Sequence, residues 1–201
     1  RAAYACVLLS PHVPMLFMGE EYAASTPFQY FCDFGPELAE AVSKGRREEF
    51  GRFATFATDE ARARIPDPNA ESTFLGSKLR WEERATEPHA QWLRLIGELL
   101  AVRQRAVVPH LMGQRGAGSF SCEREVEGNR AGGNILRVVW RLDASASSLH
   151  MLANFGAPTA EGIAKPPGQT IYTSAAEPTG DATLRLARGG VCVTFQESFN
   201  V

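Results

Sequence analysis

Imidazoles, thiols and carboxylates are the side chains here that could do chemistry, and their spacing narrows what that chemistry is. The histidines, His12, His89, His110 and His150, stand in no arrangement with Ser, Cys or Asp that marks a nucleophile and its base. The cysteines, Cys6, Cys32, Cys122 and Cys192, lie far apart, and no pair has the spacing of a zinc site or a redox motif. Cys6 and Cys192 sit in apolar runs and read as buried thiols, which fits a reducing, cytoplasmic setting. No P-loop or dinucleotide glycine motif is present, and Gly116-Ala117-Gly118 reads as a turn. Neither a cofactor nor a metal is expected.

Carboxylates are plentiful, but Glu20, Glu21 and Asp33 stand out by position. They follow the apolar run Pro14-Met15-Leu16-Phe17-Met18, which stops at Gly19. Such a run without alternation predicts a short strand buried on both faces, as in a parallel sheet under helices. Gly19 permits a sharp turn at its end. Glu20, Glu21 and Tyr22 then sit past the strand's carboxyl end, where α/β barrels bind substrate. Glu20 and Glu21 are neighbours whose side chains diverge in extended chain. They do not make the facing carboxyl pair that glycoside hydrolysis needs.

The bulk properties bound the rest. The chain has 201 residues, 44% hydrophobic and 22% charged, with a net charge of −2, as expected of one large globular domain or two small ones. That charge gives no reason to expect a nucleic acid or an anionic membrane as partner. The longest apolar stretches fall short of a bilayer-spanning helix. Residue 1 is Arg, followed by a segment that reads as mid-helix without a cap and shows no secretory pattern. The chain is therefore expected to be the C-terminal piece of something longer.

Several elements would position these residues. Residues 1–10 read as a helix ended by Pro11. A lone parallel strand cannot cover its faces or pair its backbone, so partner strands are expected outside this sequence. Residues 22–35 form a loop loaded with aromatics, including Phe28, suited either to sugar stacking or to anchoring the loop. Short helices are expected over 36–44, capped by Gly45, and over 46–57, with Phe50, Phe53 and Phe56 as a core stripe. Residues 65–84 read as a long irregular connection. A helix over 87–106, capped by Thr86, carries Trp92, Leu95, Ile96, Leu99 and Leu100 on one face, with Arg103 among the polar residues. Beyond Pro109 the pattern turns β-rich, with runs at 118–126, 134–142, 147–155, 168–174, 182–187 and 190–198. These predict an antiparallel sandwich or barrel.

The stretch SPHVPMLFMGEEYAASTPFQYFCDF, then PELAEAVSKGRREEF, IPDPNAESTFLGSKLRWEE and PHAQWLRLIGELLAVRQRAVVPHL, resembles the maltooligosyltrehalose trehalohydrolases of the α-amylase superfamily. The LFMGEE part alone also resembles glycogen branching enzymes. The resemblance covers roughly residues 1–110. It implies an α/β plus all-β chain: residues 1–106 as the last helix–strand–helix portion of a (β/α)8 barrel, and residues 107–201 as a C-terminal antiparallel β-sandwich domain. It also implies hydrolysis of the α-1,4 bond beside the terminal trehalose of a maltooligosaccharide-type substrate, by a retaining mechanism. The Asp nucleophile, Glu acid/base and second Asp of that mechanism come from earlier strands, so no catalytic residue is carried over. The implied partners are the substrate and the remainder of the barrel, and the piece alone is expected to be inactive. Glu20, Glu21, Tyr22 and Phe28 match positions bordering the sugar-binding cleft. Cys32-Asp33-Phe34 departs from the family's Thr-Asp-His. The competing readings are a carbohydrate-binding or structural module built on the β domain, and a piece of another superfamily member such as a branching enzyme.

Overall fold

A computed structural model describes residues 1–56, 58–111, 120–128, 134–142, 147–156 and 159–197. The turn at 116–118 and one end of each of the runs expected at 118–126 and 190–198 lie outside those residues. The chain packs as two compact units, Arg1–Leu16 with Arg94–Val201, and Phe17–Leu93.

The first unit is built on one six-stranded antiparallel sheet. Strands β1 (Phe120–Gly128), β2 (Asn134–Leu142) and β3 (Ser147–Asn154) form a meander. Strand β6 (Thr183–Gln196) joins everything else. Its second half pairs with β3, its first half with β4 (Ala160–Ala164), and its other edge with β5 (Gln169–Pro178) along most of its length. The sequence suggested two strands at 182–187 and 190–198. They are one strand, carried through Gly189, whose φ of 73° suits glycine. The six strands belong to a single hydrogen-bonded sheet, rather than the two separate sheets of a sandwich. Ile135, Leu152, Ala160, Leu184, Leu186 and Cys192 form its buried cluster. Trp140 of β2 is buried.

Helix α1 (Ala2–Leu9) packs on β3 and β6 through an apolar face that includes the buried Ala5, Leu8 and Leu9. Its C-terminus is held by Arg103 of the last helix, α5 (His89–Ala106). The Arg103 guanidinium donates to the carbonyls of Leu8 at 2.9 Å, Ser10 at 2.5 Å and His12 at 2.8 Å. The first two belong to the helix end, where carbonyls lack intrahelical partners, and a cation suits the negative end of the helix. Arg103 is thus buried beside Ile96 and Leu99, not on the polar face. Its spacing of four residues from Leu99 places it on the apolar stripe.

The Pro14–Met18 run is not a strand: it pairs with nothing in the sheet, and Met15 is 88% exposed. A strand needs a hydrogen-bonded neighbour, and the described residues supply none.

The second unit holds α2 (Pro36–Phe50), α3 (Asp59–Ala63) and α4 (Glu71–Ser77), with a 3-10 turn at Ala54–Phe56 between the first two. Helix α2 runs straight through Gly45 instead of ending there. Arg46, one residue on, stacks over Tyr30 at 4.9 Å and Phe50 at 4.6 Å, so side-chain contacts carry the helix past a weak position. Phe50, Phe53 and Phe56 do cluster, with ring centroids 5.9 and 5.4 Å from Phe50. Phe53 remains 58% exposed, so the cluster lies at the surface and not in a core.

Candidate functional site

The turn Gly19–Ala24 is the fixed point of the second unit. Gly19 has φ 90°, and a Cβ there would lie 2.8 Å from Leu79 Cδ2 and 2.9 Å from the Ala24 Cβ. Both the backbone angle and the space demand glycine. Glu20–Tyr22 form one 3-10 turn, closed by Ala24 N donating to the Gly19 carbonyl at 2.9 Å.

Both glutamates fold back on this turn. The Glu20 carboxylate accepts from Phe17 N at 2.9 Å, and that of Glu21 accepts from Gly19 N at 2.9 Å. Charge-assisted bonds of this kind fix the loop. They also occupy one oxygen of each group, so the pair is not poised to act as acid and base across one substrate bond. Tyr22 is fully buried, its ring 6.1 Å from Trp81 and 6.5 Å from His89 between centroids. Its hydroxyl has no hydrogen-bond partner among the described residues. Burial, reinforced by the charges of Glu21 and Glu83, holds its ionisation above the usual tyrosine value.

A second segment clamps the turn from outside. Trp92 Nε1 donates to the Glu20 carbonyl at 2.9 Å. His89 Nδ1 lies 3.0 Å from the Tyr22 carbonyl and 3.1 Å from that of Ala23, so this nitrogen carries the proton. The Glu83 carboxylate accepts from Ser25 N at 3.0 Å and from the Ser25 hydroxyl, and the latter bond leads in holding Glu83 below the usual carboxylate range. Sequence reading missed these roles. It placed Trp92 on a core face, found no motif for His89, and left Glu83 in an irregular stretch. The adjacency of SKLRWEE to PHAQW was the available signal, but nothing in the spacing said that both would fold onto GEEY.

Phe28 is 57% exposed and opens a ladder of edge-to-face rings. Its centroid is 4.9 Å from Phe17 and 5.9 Å from Phe31, and Phe31 is 5.1 Å from Phe74 of α4. The stretch Asp67–Ser77, expected to be irregular, is a hydrogen-bonded knot ending in α4. Asp67 Oδ1 accepts from the Ser43 hydroxyl at 2.6 Å and from Asn69 N at 3.1 Å, and the serine bond leads in holding Asp67 below its usual range. Asn69 Nδ2 donates to the Ala39 carbonyl at 3.0 Å, and Cys32 N donates to that of Pro68 at 2.8 Å. Thr73 and Ser77 hydroxyls close the knot on the carbonyls of Asp67 and Thr73. The structure therefore brings Glu20, Glu21 and Tyr22 together in one turn, with Phe28 on the loop that leaves it. No cluster of three metal-ligating side chains occurs among the described residues, and no described helix is long and apolar enough to cross a membrane.

Residues 125–193 match a family described as a domain of unknown function, DUF3459. A malto-oligosyltrehalose trehalohydrolase of Deinococcus radiodurans is 51% identical over 106 residues, covering 53% of this chain and 17% of that protein. The enzyme of the same name from Arthrobacter ramosus is 45% identical over 108 residues, covering 53% and 18%. The matched region thus spans less than a fifth of these curated relatives. Among solved structures, a candidate alpha amylase from Salmonella typhimurium superposes with a TM-score of 0.76 at 35% identity, over 97% of this chain and 30% of that one. A trehalulose synthase, at a TM-score of 0.52 and 17% identity over 96% of this chain and 37% of that one, shares the fold alone. Over about half of its length, this chain resembles the malto-oligosyltrehalose trehalohydrolases, and its structural neighbours are enzymes of the α-amylase family.

Proposed function

We propose that this chain is the C-terminal part of a retaining glycoside hydrolase that releases trehalose from maltooligosyltrehalose. The observation that carries this reading is the 51% identity to the Deinococcus radiodurans trehalohydrolase over 106 residues. In this reading residues 1–106 complete a (β/α)8 barrel and residues 107–201 are its C-terminal β domain. The exposed Pro14–Met18 segment becomes the barrel strand once the remainder of the barrel flanks it. Glu20, Glu21 and Phe28 border the sugar cleft, with Tyr22 packed behind them. The catalytic carboxylates come from earlier strands, so the chain alone does not hydrolyse. The protein works in the cytoplasm, where its thiols stay reduced.

The test is to incubate the full-length protein carrying this chain with maltooligosyltrehalose and to follow free trehalose by chromatography. Trehalose release supports the reading. New α-1,6 branches on amylose without trehalose would replace it with a branching enzyme.

A further inference from the structure

The ring ladder ends at a cleft of about 480 Å³ lined by Phe31, Cys32, Asp33, Asn69, Glu71 and Phe74, among others. That volume lies within the range of small-molecule sites, roughly 300–1,000 Å³. Phe31 and Phe74 keep 36% and 43% of their surface exposed, with Lys78 Nζ 5.9 Å from the Phe74 ring centroid. The knot described above underlies the cleft. Asn69 is tied to Ala39 and Ser43, its Oδ1 lies 3.5 Å from Cys32 Sγ, and Cys32 N is bound to Pro68. The floor is therefore set before any ligand arrives, which lowers the ordering cost of binding.

The Asp33 and Glu71 carboxylates carry no hydrogen bond or ion pair among the described residues. The lining also contains no cation. Two open carboxylates disfavour an anionic ligand and accept hydroxyl hydrogens well. Aromatic rings pack against apolar C–H surface. A pyranose presents both surfaces at once, hydroxyls at its rim and C–H groups on its face.

We propose that this cleft is a subsite for a glucosyl unit of the oligosaccharide substrate, with Phe31 and Phe74 packing on the sugar face and Asp33 and Glu71 accepting its hydroxyls. The assignment rests on the trehalohydrolase reading for the identity of the sugar, and Phe28 links it to the turn at Gly19. Cys32 Sγ reports on occupancy because it lines the same cleft.

The experiment uses the full-length protein. Cys32 is alkylated with iodoacetamide, with and without maltoheptaose, and the labelled peptide is quantified by mass spectrometry, with sucrose as control. Maltoheptaose is expected to slow labelling in a saturable way, and Asp33→Ala or Phe74→Ala to abolish that protection. In trehalose-release assays the same variants should raise KM about three- to tenfold with kcat little changed, the scale of one lost polar contact. Should Phe74→Ala fail to fold, Asp33→Ala and Glu71→Gln, both at exposed positions, keep the test intact. Trehalose release with no protection and normal variants would overturn the subsite and leave the enzyme reading standing. Protection without trehalose release would keep the subsite and overturn the enzyme reading.

Discussion

The indole Nε1 of Trp92, on α5, donates to the backbone carbonyl of Glu20 at 2.9 Å. A helix that sequence reading assigned to packing thereby holds the backbone of the turn carrying the candidate site. Trp92→Phe keeps most of the ring and removes this bond. It should cost about 0.5–1.5 kcal/mol in urea unfolding, and more if the Glu20 carbonyl stays buried and unpaired. An unchanged midpoint would show that water replaces the indole at no cost.

Gly19→Ala tests the turn itself. The substitution meets a positive φ and the Leu79 and Ala24 side chains together. A loss of about 1–3 kcal/mol is expected, read as a lower Tm. Leu79→Ala in the same background should recover only part of the loss, because the Ala24 contact and the backbone angle remain. Full recovery would mean that the angle carries no strain.

Glu21→Ala separates site from scaffold. If Glu21 borders the sugar cleft, the variant of the full-length protein should lose turnover or affinity with a nearly unchanged Tm. The bond from Gly19 N predicts a structural share as well, within about 1 kcal/mol for a half-exposed group. A large fall in Tm with normal kinetics would make Glu21 a loop staple only.

Arg103→Leu leaves the carbonyls of Leu8, Ser10 and His12 without their donor. Each buried acceptor left unpaired costs about 1–3 kcal/mol, so this variant should lose at least as much as Leu99→Ala, at about 2–5 kcal/mol. Chemical denaturation of both would check the order. A cost for Arg103→Leu below 1 kcal/mol would mean that solvent reaches these carbonyls.

His150 gives the pH dependence. Its Nε2 lies 2.7 Å from Ser148 Oγ, and burial leads in pushing its pKa below the ordinary 6.5, with Arg137 and Arg141 adding to the shift against a Gln196 hydrogen bond. The unfolded chain therefore takes up a proton first as pH falls. Stability from this group is fully present above about 6.5 and declines below it. His150→Asn should flatten that slope below about pH 6.5, measured as ΔG of unfolding. An identical slope in the variant would show that other groups set it.

What was legible in the sequence was local. Helix α5 shows in its period, and β2 matches the expected 134–142. Residues whose partners are distant in sequence were not legible. Arg103 looks like a surface cation until the end of α1 is placed against it. Pro14–Met18 looks like a strand because its composition suits one, yet pairing depends on neighbours that composition cannot supply. The Asp67–Asn69–Ser43 knot is invisible to periodicity, since hydroxyls and amides that bond across a loop leave no repeating pattern. Strand β4 was missed for a related reason: five residues, two of them glycine or glutamate, have little strand character apart from the edge of β6.

Strand β6 is bonded to β3, β4 and β5, and it follows all of them in the chain. A ribosome therefore delivers the keystone of this sheet after every strand it must join. Until residues 183–196 have left the exit tunnel, the β3 edge of the meander is open, and β4 and β5 have nothing to lie against. At about 5–20 residues per second, that interval lasts seconds, long enough for the open edge to find another chain. A synonymous-codon or stalling change just upstream of Thr183 would therefore act on yield without altering any contact in the finished protein.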